Sequence, residues 1–456
     1  MSAFNSLLYP SIVFYTKNVL TRSERLDRLP FTRRHARLLL GSGLGWALDA
    51  MDVGLIGFVM AALAKQWSLS AATLGWIGSI GFAGMAVGAS VGGLLADRIG
   101  RRQVFALTLL VYGLATGAAA LSMSVGMLVA LRFVVGIGLG AELPVASTLV
   151  AEYAPRRIRG RVVVALEAFW ALGWILAALL GYFLIPASPA GWRWALAVGI
   201  VPAAYALVVR FGLPESVRFL ERRGRIDEAE AAVQLYERAA GVAPEPSALP
   251  MIPGASSESI WSRALRKRTA ALWVVWFGIN LSYYGAFTWI PTLLSAGDAG
   301  LTRSFAWTLI ITLAQIPGYA VAAVLIEVWG RRATLATFLA GSAVAAMLFG
   351  WAVSQQPLVA GWVIGSGCLL SFFNLGAWGA LYAVGPEVYP TTSRGTGTGA
   401  AAAFGRIAAI IAPLSVPMLI GLGGRPLVFG TFAVAFAIAT IGASFLPERR
   451  GEALDA

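Results

Sequence analysis

The sequence predicts an all-α membrane protein of twelve transmembrane helices, arranged as two six-helix halves. Three observations predict it. Hydrophobic residues make up 58% of the chain and charged residues only 12%, where soluble domains average about 25% charged. The apolar residues come in runs long enough to cross a bilayer, which takes about 20. Finally, landmarks of the first half return about 230 residues later. Asp97-Arg98-Ile99-Gly100-Arg101-Arg102 returns as Glu327-Val328-Trp329-Gly330-Arg331-Arg332. Glu152-Tyr153-Ala154-Pro155, with Arg159-Gly160 after it, returns as Glu387-Val388-Tyr389-Pro390 with Arg394-Gly395, and Leu213-Pro214-Glu215 as Leu446-Pro447-Glu448. A duplicated unit of spanning segments points to solute transport.

Taken in order, residues 1–37 read as an N-terminal tail, with Leu7–Tyr15 apolar enough to lie along a membrane surface. No short apolar stretch there leads into a small-residue cleavage site. Six spans follow at 38–64, 72–96, 103–122, 125–152, 160–184 and 192–212, so the first bundle is 38–212. Residues 213–268 are charged and carry Pro244, Pro246, Pro250 and Pro253; Ser216–Ala240 is patterned as an amphipathic surface helix and the remainder as a linker. The second bundle, 269–446, holds spans at 269–295, 303–328, 333–353, 357–389, 394–421 and 425–446, and 447–456 is a short tail.

Charge sets the orientation. Of 35 basic residues, Lys65, Arg193, Arg303 and Arg425 fall on one side, Arg132 and Arg406 lie within helices, and all others share the side of the termini. Positive charge gathers on the cytoplasmic side, so both termini are expected in the cytoplasm. The net charge of +13 then reflects topology and anionic lipid, not nucleic acid. Cys368 and His35 are the sole cysteine and histidine. That excludes a disulfide framework and a His- or Cys-rich metal centre, and no cofactor is expected. An enzyme would need a nucleophile–base pair within the spans, and the histidine lies in the tail.

The loop Gly93-Leu94-Leu95-Ala96-Asp97-Arg98-Ile99-Gly100-Arg101-Arg102 resembles the loop motif of the major facilitator superfamily. Arg132 with Gly136, Gly138 and Gly140 resembles its second motif. The Glu152–Gly160 stretch and Pro214-Glu215-Ser216 resemble the branch of sugar porters, organic-ion transporters and synaptic-vesicle-protein-like bacterial transporters. The resemblance covers nearly the whole chain. It implies alternating access, a monomer in a bacterial inner membrane, and a central cavity lined by spans 1, 4, 7 and 10. Asp97, Arg101, Glu152 and Arg159, with Glu327, Arg331, Glu387 and Arg394 in the second half, are then candidates for a charge network that breaks as the cytoplasmic side opens. Solvated turns that only set topology are the alternative.

Ionisable residues within spans point to chemistry, because burial there is costly unless they serve a site. Asp49 and Asp52 lie three apart on one helical face, about 16–21 Å into span 1. Two carboxylates this close resist double ionisation, which suits proton coupling. The Asp-Ala-Met-Asp run resembles the Asp-Gly-Phe-Asp of aromatic-acid:proton symporters; a purely structural pair remains open. Glu142 and Glu167 are further acids at depth, either relay stations or partners of gate arginines. Arg132, nearer the outer end, reads as a packing or gating residue. Arg406 lies about 18 Å into span 11, where its fork suits a substrate carboxylate or a resident partner such as Glu387.

Aromatic and amide residues complete the candidate pocket: Trp276, Asn280, Tyr283, Tyr284 and Trp289 in span 7, Phe372, Phe373, Asn374, Trp378 and Tyr382 in span 10, and Phe169, Trp170 and Trp174 in span 5. Asn280 with Tyr284, and Asn374 with Trp378, are i,i+4 pairs, a combination suited to an aromatic ring bearing a polar substituent. Many such rings serve only as packing. Span 7 has no glutamine pair of the sugar-porter kind. Its run Phe277–Pro291, with Gly140-Ala141-Glu142-Leu143-Pro144-Val145, resembles the bacterial niacin transporters related to synaptic-vesicle glycoproteins. That resemblance implies nicotinate or nicotinamide as substrate; another aromatic acid, a sugar, or a non-transporting receptor of this fold remain alternatives.

Overall fold

The computed structural model describes residues 20–244, 259–296, 300–390 and 393–448; within these, the side chains of Leu143, Pro144, Pro386 and Arg394 are also left outside. The surface stretch expected over Leu7–Tyr15, and Pro246, Pro250 and Pro253, lie outside the described residues.

A short helix α1 (Arg22–Arg28) opens the described chain. Its start is fixed by Thr21, whose Oγ1 accepts from the Glu24 amide at 3.2 Å while Glu24 accepts from the Thr21 amide at 2.8 Å, so two orphan amides are satisfied reciprocally. The first five spans are α2 (Arg33–Gln66), α3 (Ala71–Ile99), α4 (Arg101–Ala119), α5 (Val125–Tyr153) and α6 (Arg159–Leu184). The sixth is two stacked pieces, α7 (Gly191–Val198) and α8 (Val201–Gly212). The linker forms two helices, α9 (Val217–Arg222) and α10 (Ile226–Ala240), where the amphipathic pattern placed one over Ser216–Ala240; Gly224 (φ 69°) breaks it.

The second half repeats the plan: α11 (Arg266–Ser295) is span 7, α12 (Gly300–Leu313) with α13 (Gln315–Val328) is span 8, α14 (Arg331–Ser354) is span 9, and α15 (Ala360–Val384) is span 10. Spans 11 and 12 are two helices within α16 (Arg394–Ser444), joined by a tight turn at Gly423 and Gly424, whose backbone is not helical. The helices extend some spans beyond the apolar segments: α2 begins five residues before position 38, because its charged first turn continues the helix past the apolar run.

The repeat in sequence is a repeat in geometry. Gly100 (φ 102°) and Gly330 (φ 98°) make the same sharp turn between spans 2 and 3 and between spans 8 and 9, a backbone conformation that suits glycine. After each turn a glutamate from the end of the same half caps the next helix. Glu215 accepts from the amides of Arg101 and Arg102 at 2.9 and 3.1 Å; Glu448 accepts from those of Arg331 and Arg332 at 3.0 and 2.9 Å. A carboxylate at a helix N-terminus satisfies free amides and meets the positive end of the dipole. These caps place the 2–3 and 8–9 loops and the ends of spans 6 and 12 at one end of the molecule, here named the basic end.

Span 4 closes on span 2 through glycine. A Cβ at Gly136 would lie 2.0 Å from the Gly81 carbonyl, and one at Gly140 2.0 Å from that of Met85. The glycine run therefore lets two backbones touch, the membrane alternative to hydrophobic driving force. The halves meet away from the basic end: Gly57 of span 1 packs on the Thr288 carbonyl of span 7, Phe58 on Phe305 with ring centres 5.1 Å apart, and Ser79 Oγ donates to the Ile410 carbonyl at 2.5 Å.

Candidate functional site

Between the two halves, below those contacts, lies a cavity lined by Trp46, Glu167, Trp170, Tyr283, Tyr284, Tyr319, Trp378, Tyr382 and Arg406. Each half supplies rings. Trp46 and Trp170 pack at 5.0 Å between centres, Trp378 and Tyr382 stack at 5.8 Å, and Tyr283 lies 5.8 Å from Trp378. The Trp170 indole donates to the Tyr283 hydroxyl at 3.0 Å. The free space among these side chains is about 20 Å³, measured at the centres of water-sized spheres, room for about one water. A ring-sized ligand therefore requires the lining side chains to part.

Two charged residues face this aromatic space from opposite halves. Arg406, on span 11, reaches the Tyr284 hydroxyl and lies 4.0 Å from Met85 Sδ. Glu387, considered above as its partner, pairs instead with Arg331 Nε at 3.1 Å. Glu167, on span 5, is 2% exposed and has the Trp46 indole as its polar neighbour. Among the described residues neither charge forms an ion pair.

Of the residues proposed for substrate, Trp170, Tyr283, Tyr284, Trp378 and Arg406 line the cavity. Asn280 and Asn374 do not. Asn280 Nδ2 donates to the Trp276 carbonyl on its own helix at 2.7 Å and packs against Gly405, which makes it a spacer between spans 7 and 11. Asn374 is fully buried one turn from Trp378, with no partner for either amide atom. Spans 5, 8 and 11 contribute to the wall, whereas span 4, expected there, does not. Trp46 and Tyr319 were not singled out in the sequence. Trp46 had a signal, being three residues before Asp49; Tyr319 sits in a span that the resemblance left off the cavity.

The first-half acids separate into two groups. Asp52 is held: Arg132 Nη1 donates to it at 2.7 Å and Thr116 Oγ1 at 2.6 Å, all three buried. Asp49 faces away from that cation, toward Glu142 and Tyr112. Neither Glu142 oxygen meets a donor, and Glu142 is fully buried. The close carboxyl pair is thus Asp49 with Glu142, from spans 1 and 4, behind the cavity wall.

The loop charges pair within each half. Arg101 forms an ion pair with Glu152, whose other oxygen accepts from Ser216 Oγ at 2.5 Å. Arg159 pairs with Asp27 of α1, and donates to the Ala154 carbonyl at 3.1 Å, so it does not join Glu152. Asp97 meets Arg222 of α9 at 3.0 Å, both well exposed. In the second half Arg331 pairs with Glu387, Glu327 is exposed, and the Arg394 side chain lies outside the described residues.

The chain was compared with known proteins. A family model described as "Sugar (and other) transporter" matches residues 4–456. A protein named niacin transporter from Acinetobacter baylyi is 47% identical over 95% of this chain and 98% of its own length. A putative niacin/nicotinamide transporter from Bacillus subtilis is 45% identical over 89% of this chain and 93% of its own. Among solved structures, a partially occluded inward open conformation of an E. coli xylose transporter aligns with a TM-score of 0.75, covering 93% of this chain and all of that one at 19% identity. That likeness shows the fold. With spans, repeat and motifs in agreement over nearly its full length, the chain belongs to the sugar (and other) transporter family of the major facilitator superfamily.

Proposed function

We propose that this transporter moves nicotinate or nicotinamide across a bacterial inner membrane by alternating access, with the basic end in the cytoplasm. The observation that carries the substrate is Arg406: a guanidinium about 18 Å into its span, without a carboxylate partner, set among rings that can sandwich a flat aromatic. A carboxylate or amide carbonyl completes its hydrogen bonding, and Tyr283, Tyr284 and Trp378 supply stacking surface. The names of the two relatives agree with this reading. A wall of aromatic rings with Arg406 as its cation among the described residues suits a hexose less well, since sugar hydroxyls ask for amides on the wall and Asn280 and Asn374 lie off it.

Proton coupling is proposed at Asp49 and Glu142. Two carboxyls facing each other with no cation between them are eased by a single proton held in common. Asp52 is instead neutralised by Arg132. Packing of Gly57 on span 7 and of Ser79 on span 11 favours a state closed on the outer side. The loop pairs, each inside one half, would then hold the cytoplasmic helix ends in place during the movement.

Uptake of labelled nicotinate into proteoliposomes tests the reading. Saturable uptake that unlabelled nicotinamide suppresses and xylose does not is the expected result. Tight binding of a hexose with none of either niacin form would overturn it.

A further inference from the structure

Resting on that proposed substrate, we infer that Glu167 holds the ring nitrogen of the substrate through a proton while Arg406 holds its carboxyl or amide group. The protein therefore selects a heteroaromatic with a polar group at each end over a simple aromatic anion.

The argument starts from charge. Glu167 and Arg406 line one cavity, on spans 5 and 11 of opposite halves, and no described residue forms an ion pair with either. A buried charge needs a partner of opposite sign or a hydrogen bond. Benzoate would satisfy Arg406 and leave Glu167 with no ligand atom to share a proton with. A pyridine carboxylate satisfies both. Its carboxylate meets the guanidinium, and a proton on its ring nitrogen meets Glu167. The proton comes from water or from Glu167 itself. When the carboxyl donates fully, its O–H bond breaks, the N–H bond forms, and the nitrogen lone pair is the acceptor. Either way one proton lies between oxygen and nitrogen; on the nitrogen it makes bound nicotinate a zwitterion without net charge, and on the oxygen it leaves the anion hydrogen-bonded to a neutral Glu167.

The other titratable groups around this space are Tyr283 and Tyr284 of span 7, Tyr319 of span 8 and Tyr382 of span 10. Tyr283 already accepts from Trp170 and Tyr284 from Arg406. The Trp46 indole beside Glu167 can only donate. A carboxyl is thus the one group here able both to hold a proton and to balance a cationic nitrogen.

The test measures binding of nicotinate, nicotinamide and benzoate to the purified full chain. Wild type is expected to prefer nicotinate over benzoate by about 10- to 100-fold, the worth of a hydrogen bond to a charged group. Glu167→Leu should collapse that ratio to within about threefold while retaining benzoate, whose binding also shows that the variant folds. Glu167→Gln, whose amide can donate to a ring nitrogen but cannot balance a cationic one, should keep only part of the preference, between wild type and Glu167→Leu. Equal binding of nicotinate and benzoate by wild type, which needs no variant, would overturn the inference, as would an unchanged ratio in Glu167→Leu. Failure of wild type to bind either niacin form would instead sink the substrate reading beneath it.

Discussion

Trp170 and Tyr283 join the two halves across the cavity: the indole of span 5 donates to the phenol of span 7 at 3.0 Å. Both rings line the space proposed for substrate, so the bond that ties the halves together belongs to the binding wall. A ligand that pushes these rings apart acts on the inter-half contact at the same time. Tyr283→Phe removes the acceptor and leaves the ring. It is expected to change transport rate more than binding, with affinity held within about tenfold, since a neutral hydrogen bond contributes about 0.5–1.5 kcal/mol. Paired measurements of equilibrium binding and initial uptake check this; a large loss of binding with unchanged turnover would contradict it.

Arg406→Gln should weaken nicotinate more than nicotinamide. A hydrogen bond to a charged partner is worth about 1.5–3 kcal/mol against about 1 for a neutral one, and only nicotinate brings a full negative charge. Titration of both ligands against the variant decides the matter. Equal losses would assign Arg406 to packing between spans 2 and 11, where Met85 touches it.

Neutralising the acid pair should separate drive from exchange. Asp49→Asn is expected to abolish uptake driven by an inward proton gradient while counterflow exchange survives. Asp52→Asn should behave differently, because it strands Arg132 in a buried site, a loss of about 3–5 kcal/mol visible as a fall in thermal stability. Wild-type uptake indifferent to pH and to uncoupler would remove the proton from the mechanism.

Asp97→Asn should slow transport and leave affinity nearly unchanged. The residue meets Arg222 at the exposed basic end, far from Arg406, and an exposed ion pair contributes about 0–1 kcal/mol to stability. Turnover in proteoliposomes set against binding in detergent tests the assignment.

Gly57→Leu should hinder closure of the end opposite the basic one. Even a Cβ there would stand 2.7 Å from the Thr288 carbonyl, so the two spans must separate. Substrate binding is expected to persist and net uptake to fall at least tenfold. Normal uptake by the variant would mean that spans 1 and 7 need not touch there.

Much of this architecture was legible because lipid imposes it. Apolar runs of spanning length, a duplicated set of loop landmarks and Gly136 with Gly140 each have one physical use in a bilayer, and each is found in that use. Within the site, legibility followed rotation about the helix axis. Trp170, Tyr283, Tyr284, Trp378 and Arg406 face the cavity, whereas Asn280, i,i+4 with Tyr284, bonds its own backbone instead. Depth could be counted from the helix start, but which partner a buried group meets depends on neighbouring spans. Asp49 and Asp52 show it: they are three residues apart, yet one faces Glu142 and the other Arg132. Glu167 was visible as an acid at depth, and its place opposite Arg406 emerges only when spans 5 and 11 are brought together.

Spans 11 and 12 are two helices that turn on just Gly423 and Gly424, and span 12 leads to Glu448, which holds the Arg331 and Arg332 amides. There is no slack cord between them. Movement at Arg406 passes over that glycine elbow and down the second helix to the loop carrying Arg331, whose side chain pairs with Glu387. Lengthening that elbow with a few glycines would leave every side chain of the pocket in place and uncouple its pull from the far end.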